Sequence, residues 1–116
     1  MEQVDRSKLI RKMFVMKVHP GNEAEYKKRH DEIWPELVAL LKSHGVHNYC
    51  ISLLPSTNQL VAYVEIESEE RWSSIANDPI CHRWWAFMDP LMPGEMMENG
   101  MRKPSGEECK EMFFLA

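Results

Sequence analysis

Tyr26 and His30 are the pair of side chains in this sequence best suited to moving protons. They lie four residues apart in a segment with helical character, so they share one face of the predicted helix. That face continues through Ile33, Leu37 and Leu40, which indicates that it turns towards the core. Polar side chains in a core need hydrogen-bond partners. Two interpretations follow: a Tyr and a His bonded to backbone, or an acid/base pair that lines a cavity.

Tyr49 could face the same space from a predicted strand. Alternation along a strand places it on one face with His47, Ile51 and Leu53. Aromatic residues are also common on strands for packing reasons alone. Tyr49 is therefore a candidate wall of a cavity or a packing residue.

Trp84 and Trp85 are adjacent in a predicted helix, in a chain with four tryptophans. Their side chains should point about 100° apart, so both can be used fully only if they flank a cleft. A pyranose packs its C–H-rich faces on aromatic planes, and an indole N–H can donate to a hydroxyl. The pair is thus a candidate sugar platform, or alternatively an anchor of the core and of a dimer interface.

His44 and His47 have a spacing that could suggest a metal pair. Gly45 is expected to end a helix between them, and no nearby carboxylate or cysteine completes a ligand set. We therefore expect no metal site. The sequence also lacks a Ser-His-Asp triad, a phosphate-binding loop and a dinucleotide fingerprint.

The composition sets the class of protein. A chain of 116 residues suits one domain, and a net charge of −4 with scattered Lys and Arg argues against binding to nucleic acid. No run of apolar residues is long enough for a membrane span, and the N-terminus has no signal-like apolar stretch. Cys50, Cys81 and Cys109 are far apart and odd in number. These features predict a cytoplasmic protein that does not interact with membranes.

The first half of the chain must position these candidates. Residues 10–18 have the pattern of a strand, and residues 20–22 supply a turn and a helix start. The following helix should run towards Ser43 with a break near residues 31–35, because Pro35 lacks an amide donor. Residues 46–54 and 60–67 are then typical of a hairpin.

The second half of the chain is predicted to contain two short helices, a loop and a last strand. Ser68 caps a predicted helix through about residue 76, and Asp78 and Pro79 begin another short one. Residues 94–108 lack any period and are expected to form a loop, whereas residues 112–115 are apolar enough for a last strand. The order strand, helix, strand, strand, helix, strand predicts an α+β fold, the ferredoxin-like split βαβ sandwich.

The first strand has apolar residues on both faces. Phe14 and Met16 alternate with Met13 and Val15, yet helices cover only one face of such a sheet. A second copy that packs sheet against sheet would cover the other face. The simplest prediction is a homodimer, and the alternative is a lone protomer with a wet apolar face.

The sequence resembles the L-rhamnose mutarotase family over nearly all of residues 10–115. The segments that carry this resemblance are Ile10-Arg11-Lys12, Phe14-Val15-Met16, Glu25-Tyr26, Arg29-His30, Ile33-Trp34-Pro35-Glu36-Leu37, Leu41-Lys42-Ser43-His44-Gly45, His47-Asn48-Tyr49, Val64-Glu65-Ile66-Glu67-Ser68-Glu69-Glu70-Arg71-Trp72, Cys81 and Arg83-Trp84-Trp85.

The resemblance implies a fold of the dimeric α/β-barrel type and interconversion of the anomers of L-rhamnose without metal or other cofactor. It implies that His30 is the proton donor. The sugar contacts that it implies are Tyr26, Tyr49, Trp84 and Trp85. Residues 10–116 would form one mutarotase domain after an N-terminal extension of residues 1–9, and we assign no function to that extension or to residues 94–108.

Two other functions suit the same residues. A small monooxygenase or a lactone isomerase on this dimeric fold could also use tryptophans and a histidine. A non-catalytic sugar- or haem-binding module would instead use His30 as a ligand.

Overall fold

The computed structural model describes residues 5–116. The strands are β1 (Ile10–Lys17), β2 (Val46–Leu54), β3 (Gln59–Ile66), β4 (Gly94–Met96), β5 (Arg102–Pro104) and β6 (Glu107–Glu108). The helices are α1 (Glu23–Asp31), α2 (Pro35–Ser43), α3 (Glu69–Ser74) and α4 (Pro79–Met88), with 3-10 turns at Arg6–Lys8, Ile75–Asn77 and Asp89–Leu91.

Four strands form one antiparallel sheet in the order β2-β3-β1-β6. Strands β1 and β3 pair along their whole length, from Ile10 opposite Ile66 to Lys17 opposite Gln59. Alternate residues of β3, among them Val64, are fully buried against the helices. The predicted ferredoxin-like α+β arrangement is therefore confirmed, with the core between the sheet and one layer of helices.

Backbone-restricted residues set the boundaries in the first half of the chain. Pro35 is the first residue of α2, and Trp34 before it is extended, so the predicted break between two helices is confirmed. Gly45 ends α2 with a φ of +76°, and a Cβ there would lie 2.9 Å from the Cβ of Glu67. Only glycine meets both demands at this position.

The prediction for the last strand was wrong. The sheet edge is β6, in which Glu107 pairs with Val15 and Glu108 with Phe14, and residues 112–115 form no strand. The apolar character of that segment suggested burial, but Met112 and Phe113 are 85% and 81% exposed. Strand pairing uses backbone groups, so two exposed glutamates can form the edge.

The predicted loop at 94–108 was also wrong in part. Strands β4 and β5 pair as a short antiparallel hairpin, with Gly94 opposite Pro104. The segment has no hydrophobic alternation to indicate strands, because most of its side chains are exposed or half-buried.

Of the predicted N-terminal extension, residues 1–9, the structure describes residues 5–9. Residues 1–4 lie outside the described residues. Asp5 caps the 3-10 turn by accepting a hydrogen bond from the amide of Ser7, and Leu9 is buried. Within residues 5–116, no helix has the length and apolar content to cross a membrane.

Candidate active site

A cavity of about 1330 Å³ lies between the sheet and the helices. Its lining is largely aromatic and aliphatic, as is usual for small-molecule sites. The five site residues proposed from the sequence all line it: Tyr26, His30, Tyr49, Trp84 and Trp85.

Helices α1 and α4 form one wall of the cavity, which we call the helix wall. One helical turn separates Tyr26 from His30, and their rings stack with centroids 4.3 Å apart and an interplanar angle of 25°. The ring of His30 also meets Trp84 edge-on at 5.2 Å. Three elements of a site, a phenol, an imidazole and an indole, are thus in direct contact.

The two adjacent tryptophans have different surroundings. Trp84 is 8% exposed and packs edge-to-face on Trp34 at 5.1 Å, whereas Trp85 is half-buried. Both line the cavity, so the pair flanks a cleft. Trp34 was not proposed as a site residue. The available signal was its place directly before Pro35, which restricts its backbone to an extended conformation.

Arg29 ties the two helices together beside His30. Its guanidinium lies over the ring of Phe87, 4.1 Å from the ring centroid, and donates a hydrogen bond to the Phe87 carbonyl. Its Nε also donates to Glu25 at 2.8 Å. These contacts hold α1 and α4 in fixed relation, and with them His30 and Trp84.

Strands β1 and β2 and helix α3 form the opposite wall, which we call the sheet wall. Tyr49 lies 6.3 Å from Phe14 and 6.0 Å from Trp72 between ring centroids, and Phe14 lies 6.1 Å from Trp72. Phe14 and Trp72 were not proposed as site residues. The sequence signal for Phe14 was its place among the alternating apolar residues of β1.

A β-bulge in β2 turns Tyr49 into the cavity. His47 pairs with Glu65 and Cys50 with Tyr63, so two residues of β2 span the place of one residue of β3. The predicted grouping of His47 with Tyr49 on one face was therefore wrong. His47 lies on the outer face of the sheet, where its Nε2 is 2.7 Å from Glu67.

The ionisation of the helix wall follows from its burial. Nδ1 of His30 lies 3.1 Å from the carbonyl oxygen of Tyr26, and because a carbonyl only accepts, Nδ1 carries the proton. Burial lowers the pKa of His30 and raises the pKa of the Tyr26 phenol. At neutral pH the site therefore holds a neutral imidazole with an unprotonated Nε2 and a protonated phenol.

The phenol of Tyr49 on the sheet wall is in a similar state. Burial is the main cause that raises its pKa, and the neighbouring phenol of Tyr26 adds to the shift. Its residue surface is nevertheless 36% exposed because it faces the open cavity. Both phenols are thus hydrogen-bond donors at neutral pH.

Lys12 is a charged residue of the lining that sequence analysis missed. Its Nζ lies 2.9 Å from Glu108 on β6 and 3.1 Å from Glu69 at the start of α3. Burial alone would lower the pKa of Lys12, but these two carboxylates raise it. The ammonium therefore joins the sheet edge to α3 at one end of the cavity.

The two histidines of the rejected metal pair have separate partners. Nδ1 of His44 lies 3.0 Å from the Leu40 carbonyl, and His47 contacts Glu67. Among residues 5–116, no group of three or more His, Cys, Asp or Glu side chains is placed to hold a metal ion.

A known protein family matches the part of the chain that contains all five proposed site residues. Residues 11–115 match the family model for L-rhamnose mutarotase. The chain is 55% identical over 108 residues to the L-rhamnose mutarotase of Tolumonas auensis, covering 93% of this chain and 100% of the relative. It is 51% identical over 107 residues to that of Shigella flexneri, covering 92% of this chain and 99% of the relative.

Solved structures show the same relationship. The L-rhamnose mutarotase of Formosa agariphila superposes with a TM-score of 0.78 at 34% identity, over 92% of this chain and 99% of that one. A dimeric ferredoxin-like protein from an uncultured marine organism matches with a TM-score of 0.58 at 18% identity, over 97% of each chain. The second likeness concerns the fold alone.

Proposed function

The chain belongs to the L-rhamnose mutarotase family, and we propose that it is an isomerase that interconverts the α and β anomers of L-rhamnose. One observation carries this proposal besides the family match. The proton carrier and the sugar contacts implied by the family resemblance all line the same cavity, on two facing walls. Two facing walls can hold the body of a sugar ring while its anomeric carbon, C1, rotates during the reaction.

The reaction needs two proton transfers and no cofactor. A base removes the proton from the anomeric hydroxyl, the bond between C1 and the ring oxygen breaks, and an acid protonates the ring oxygen to leave an open-chain aldehyde. Rotation about C1–C2 exposes the other carbonyl face. Reclosure by the reverse transfers forms the opposite anomer.

His30 is the group that donates the proton to the ring oxygen. Its neutral Nε2 first accepts the proton of the anomeric hydroxyl, and the imidazolium then donates it, so one side chain serves both steps. Two features support this role: the Nδ1–H bond to Tyr26 orients the ring, and the lowered pKa keeps Nε2 free at neutral pH. An imidazole suits transfers in both directions near neutrality.

The aromatic residues hold the body of the sugar. Trp84, Trp85 and the ring of Tyr49 supply faces for the C–H groups and the methyl group of a 6-deoxyhexose. Because their raised pKa values keep the phenols protonated, Tyr26 and Tyr49 can donate to sugar hydroxyls. The C1 end is then free to turn beside His30.

Exchange spectroscopy on equilibrated L-rhamnose tests this function directly. Saturation transfer between the α and β anomeric protons should be faster with the protein present, and EDTA should leave the acceleration unchanged. Equal exchange with and without the protein would overturn the proposal. The monooxygenase, the lactone isomerase and the binding module receive no support from the family match.

The protein is further proposed to act as a homodimer. On the outer face of the sheet Met13 is 42% exposed, and in the C-terminal tail Met112, Phe113 and Leu115 are at least 80% exposed. These surfaces are continuous with β1, since Arg11 contacts Glu111 at 2.7 Å. A second copy would bury both.

Light scattering at micromolar concentration tests the dimer. The wild type should have the mass of two chains, and an aspartate in place of Met13 should shift the mass towards one chain because it puts a charge in the interface. A wild-type mass of one chain would overturn the proposal. We also propose a cytoplasmic location, which suits three free cysteines, and a single mutarotase domain over residues 10–116.

A further inference from the structure

Glu65 is a buried carboxylate with no part in the proposed proton transfers. It lies on the outer face of β3, and its side chain is 5% exposed. Four donors surround it: Nε and Nη2 of Arg6 at 2.8 and 2.6 Å, the hydroxyl of Tyr63 at 2.6 Å, and Nδ2 of Asn48 at 2.6 Å. The hydrogen bond from Arg6 is the largest cause that lowers the pKa of Glu65 to about 2.

Asn48 is the bulged residue beside Tyr49. Its φ is +48°, in the left-handed region that residues with a Cβ adopt only at a cost. Asparagine tolerates this region better than most such residues, and strained backbone persists where surrounding contacts hold it. One such contact is the hydrogen bond that Nδ2 of Asn48 donates to Glu65.

The direction of Tyr49 depends on this bulge. In a regular ladder continued from the His47–Glu65 pair, Tyr49 would lie opposite Tyr63, and its side chain would point to the outer face. The extra residue brings Cys50 opposite Tyr63 instead and leaves Tyr49 on the cavity face. A shift of one residue would therefore remove the phenol from the site.

We propose that Glu65 is a positioning residue of the sugar site, whose hydrogen bond to Asn48 holds the bulge that points Tyr49 into the cavity. This inference rests on the proposed function, in which Tyr49 contacts the sugar. Arg6 holds Glu65 from the other side. It precedes residue 11, where the family match begins, so the N-terminal extension supports the site through this carboxylate.

The test separates KM from kcat for anomer exchange. Glu65→Ala should raise KM for L-rhamnose about threefold to tenfold, the effect of one misplaced hydrogen bond, with kcat within about twofold of the wild type. When Tyr49→Ala is already present, adding Glu65→Ala should change KM by less than about twofold, because its effect passes through Tyr49.

Two further variants keep the test decisive. Asn48→Asp should raise KM in the same way, because it removes the amide donor and sets a second carboxylate against Glu65. Since Asn48 is exposed, this variant serves if Glu65→Ala does not fold. Glu67→Gln is the matched control, since Glu67 lies two residues along the chain and bonds His47 and Arg71 instead, and its KM should stay at the wild-type value.

The outcomes distinguish this inference from the proposed function. If Tyr49→Ala raises KM while Glu65→Ala and Asn48→Asp do not, the inference is overturned and the function stands. An equal rise in KM with and without Tyr49 would also overturn it, because Glu65 would then act elsewhere. A wild-type protein that does not accelerate exchange would remove the function and the inference together.

Discussion

The helix wall and the sheet wall of the cavity are built by different means. Tyr26 and His30 are brought together by one turn of a single helix, with ring centroids 4.3 Å apart. Tyr49 reaches the cavity only because β2 contains an extra residue, held by Glu65 from the neighbouring strand. Local spacing therefore determines one wall, and a non-local contact determines the other.

The walls also differ in what they are proposed to do. The helix wall carries the proposed proton carrier His30 beside the indoles of α4, whereas the sheet wall carries aromatic sugar contacts and their neighbours, the rings of Phe14, Tyr49 and Trp72. Replacing His30 should thus lower turnover, whereas replacing the sugar contacts on either wall should weaken binding. Four predictions follow, from the largest effect to the smallest, and the last of them has two readouts, exchange and stability as functions of pH.

Replacing His30 should have the largest effect on activity. His30→Ala should lower kcat for anomer exchange about 10²- to 10⁴-fold, the usual contribution of general acid/base catalysis, with little change in KM. His44→Gln is a matched control, because Nδ1 of His44 also contacts the carbonyl four residues before it, at 3.0 Å, but His44 does not line the cavity. Near wild-type exchange in His30→Ala would exclude His30 as the proton carrier.

Stability should distinguish the tryptophans of the two walls. Trp84→Ala should lower the free energy of unfolding by about 3–5 kcal/mol, because the buried indole leaves a large cavity behind. Trp72→Ala on the sheet wall should cost about 1.5–3 kcal/mol, since that side chain is only half-buried. Urea unfolding followed by circular dichroism measures both. Equal losses would show that the walls contribute alike to the core.

Removal of single hydroxyls should affect both walls alike. Tyr26→Phe and Tyr49→Phe each remove one donor to the sugar while the ring remains. Each should raise KM for L-rhamnose about threefold to tenfold, measured from exchange rates over a range of sugar concentrations. A larger effect on kcat than on KM in Tyr26→Phe would give that phenol a part in proton transfer.

The smallest expected effect is a pH dependence confined to the acid side. Since burial holds the pKa of His30 below its ordinary value, exchange should be constant from about pH 8 to pH 7 and should fall as the imidazole gains a proton below about pH 6.5. His30→Gln should have no such fall in whatever activity remains.

The same group should affect stability in a defined direction. The folded state binds a proton at His30 less readily than the unfolded chain, so protonation favours unfolding. Its contribution to stability is therefore present above about pH 6.5 and is lost as pH falls through the folded pKa. Urea unfolding at pH 7.5 and pH 5.5 should show a smaller pH effect in His30→Gln than in the wild type.

Local signals in the sequence predicted much of the fold. Pro35 and Gly45 marked the ends of two helices because their backbones exclude the alternatives, and the structure places those ends as expected. Hydrophobic patterning located β1, β2 and β3. In β3 alternate residues are buried against the helices, whereas most residues of β1 and β2 are half-buried or exposed. The helix spacing that joins Tyr26 to His30 is of the same local kind.

Other features could not be found in this way. Glu107 and Glu108 form the sheet edge through backbone pairing alone, and their side chains carry no apolar pattern that would mark a strand. The apolar segment 112–115 suggested a strand, yet its side chains are 53% to 85% exposed in the protomer, with the Arg11 guanidinium over the Phe114 ring. In both places the hydrophobicity of the side chains does not indicate whether the backbone pairs as a strand.

The sequence by itself thus determined the order of elements as far as α4, the helix wall and the family, because these depend on residue type and short-range spacing. Only the tertiary structure decided that Tyr49 and His47 lie on opposite faces of β2. The physical reason is that one extra residue reverses the face of every side chain beyond it, and whether β2 contains that residue depends on its pairing with β3. The carboxylate of Glu65, 17 residues from Asn48 along the chain, contributes to that choice.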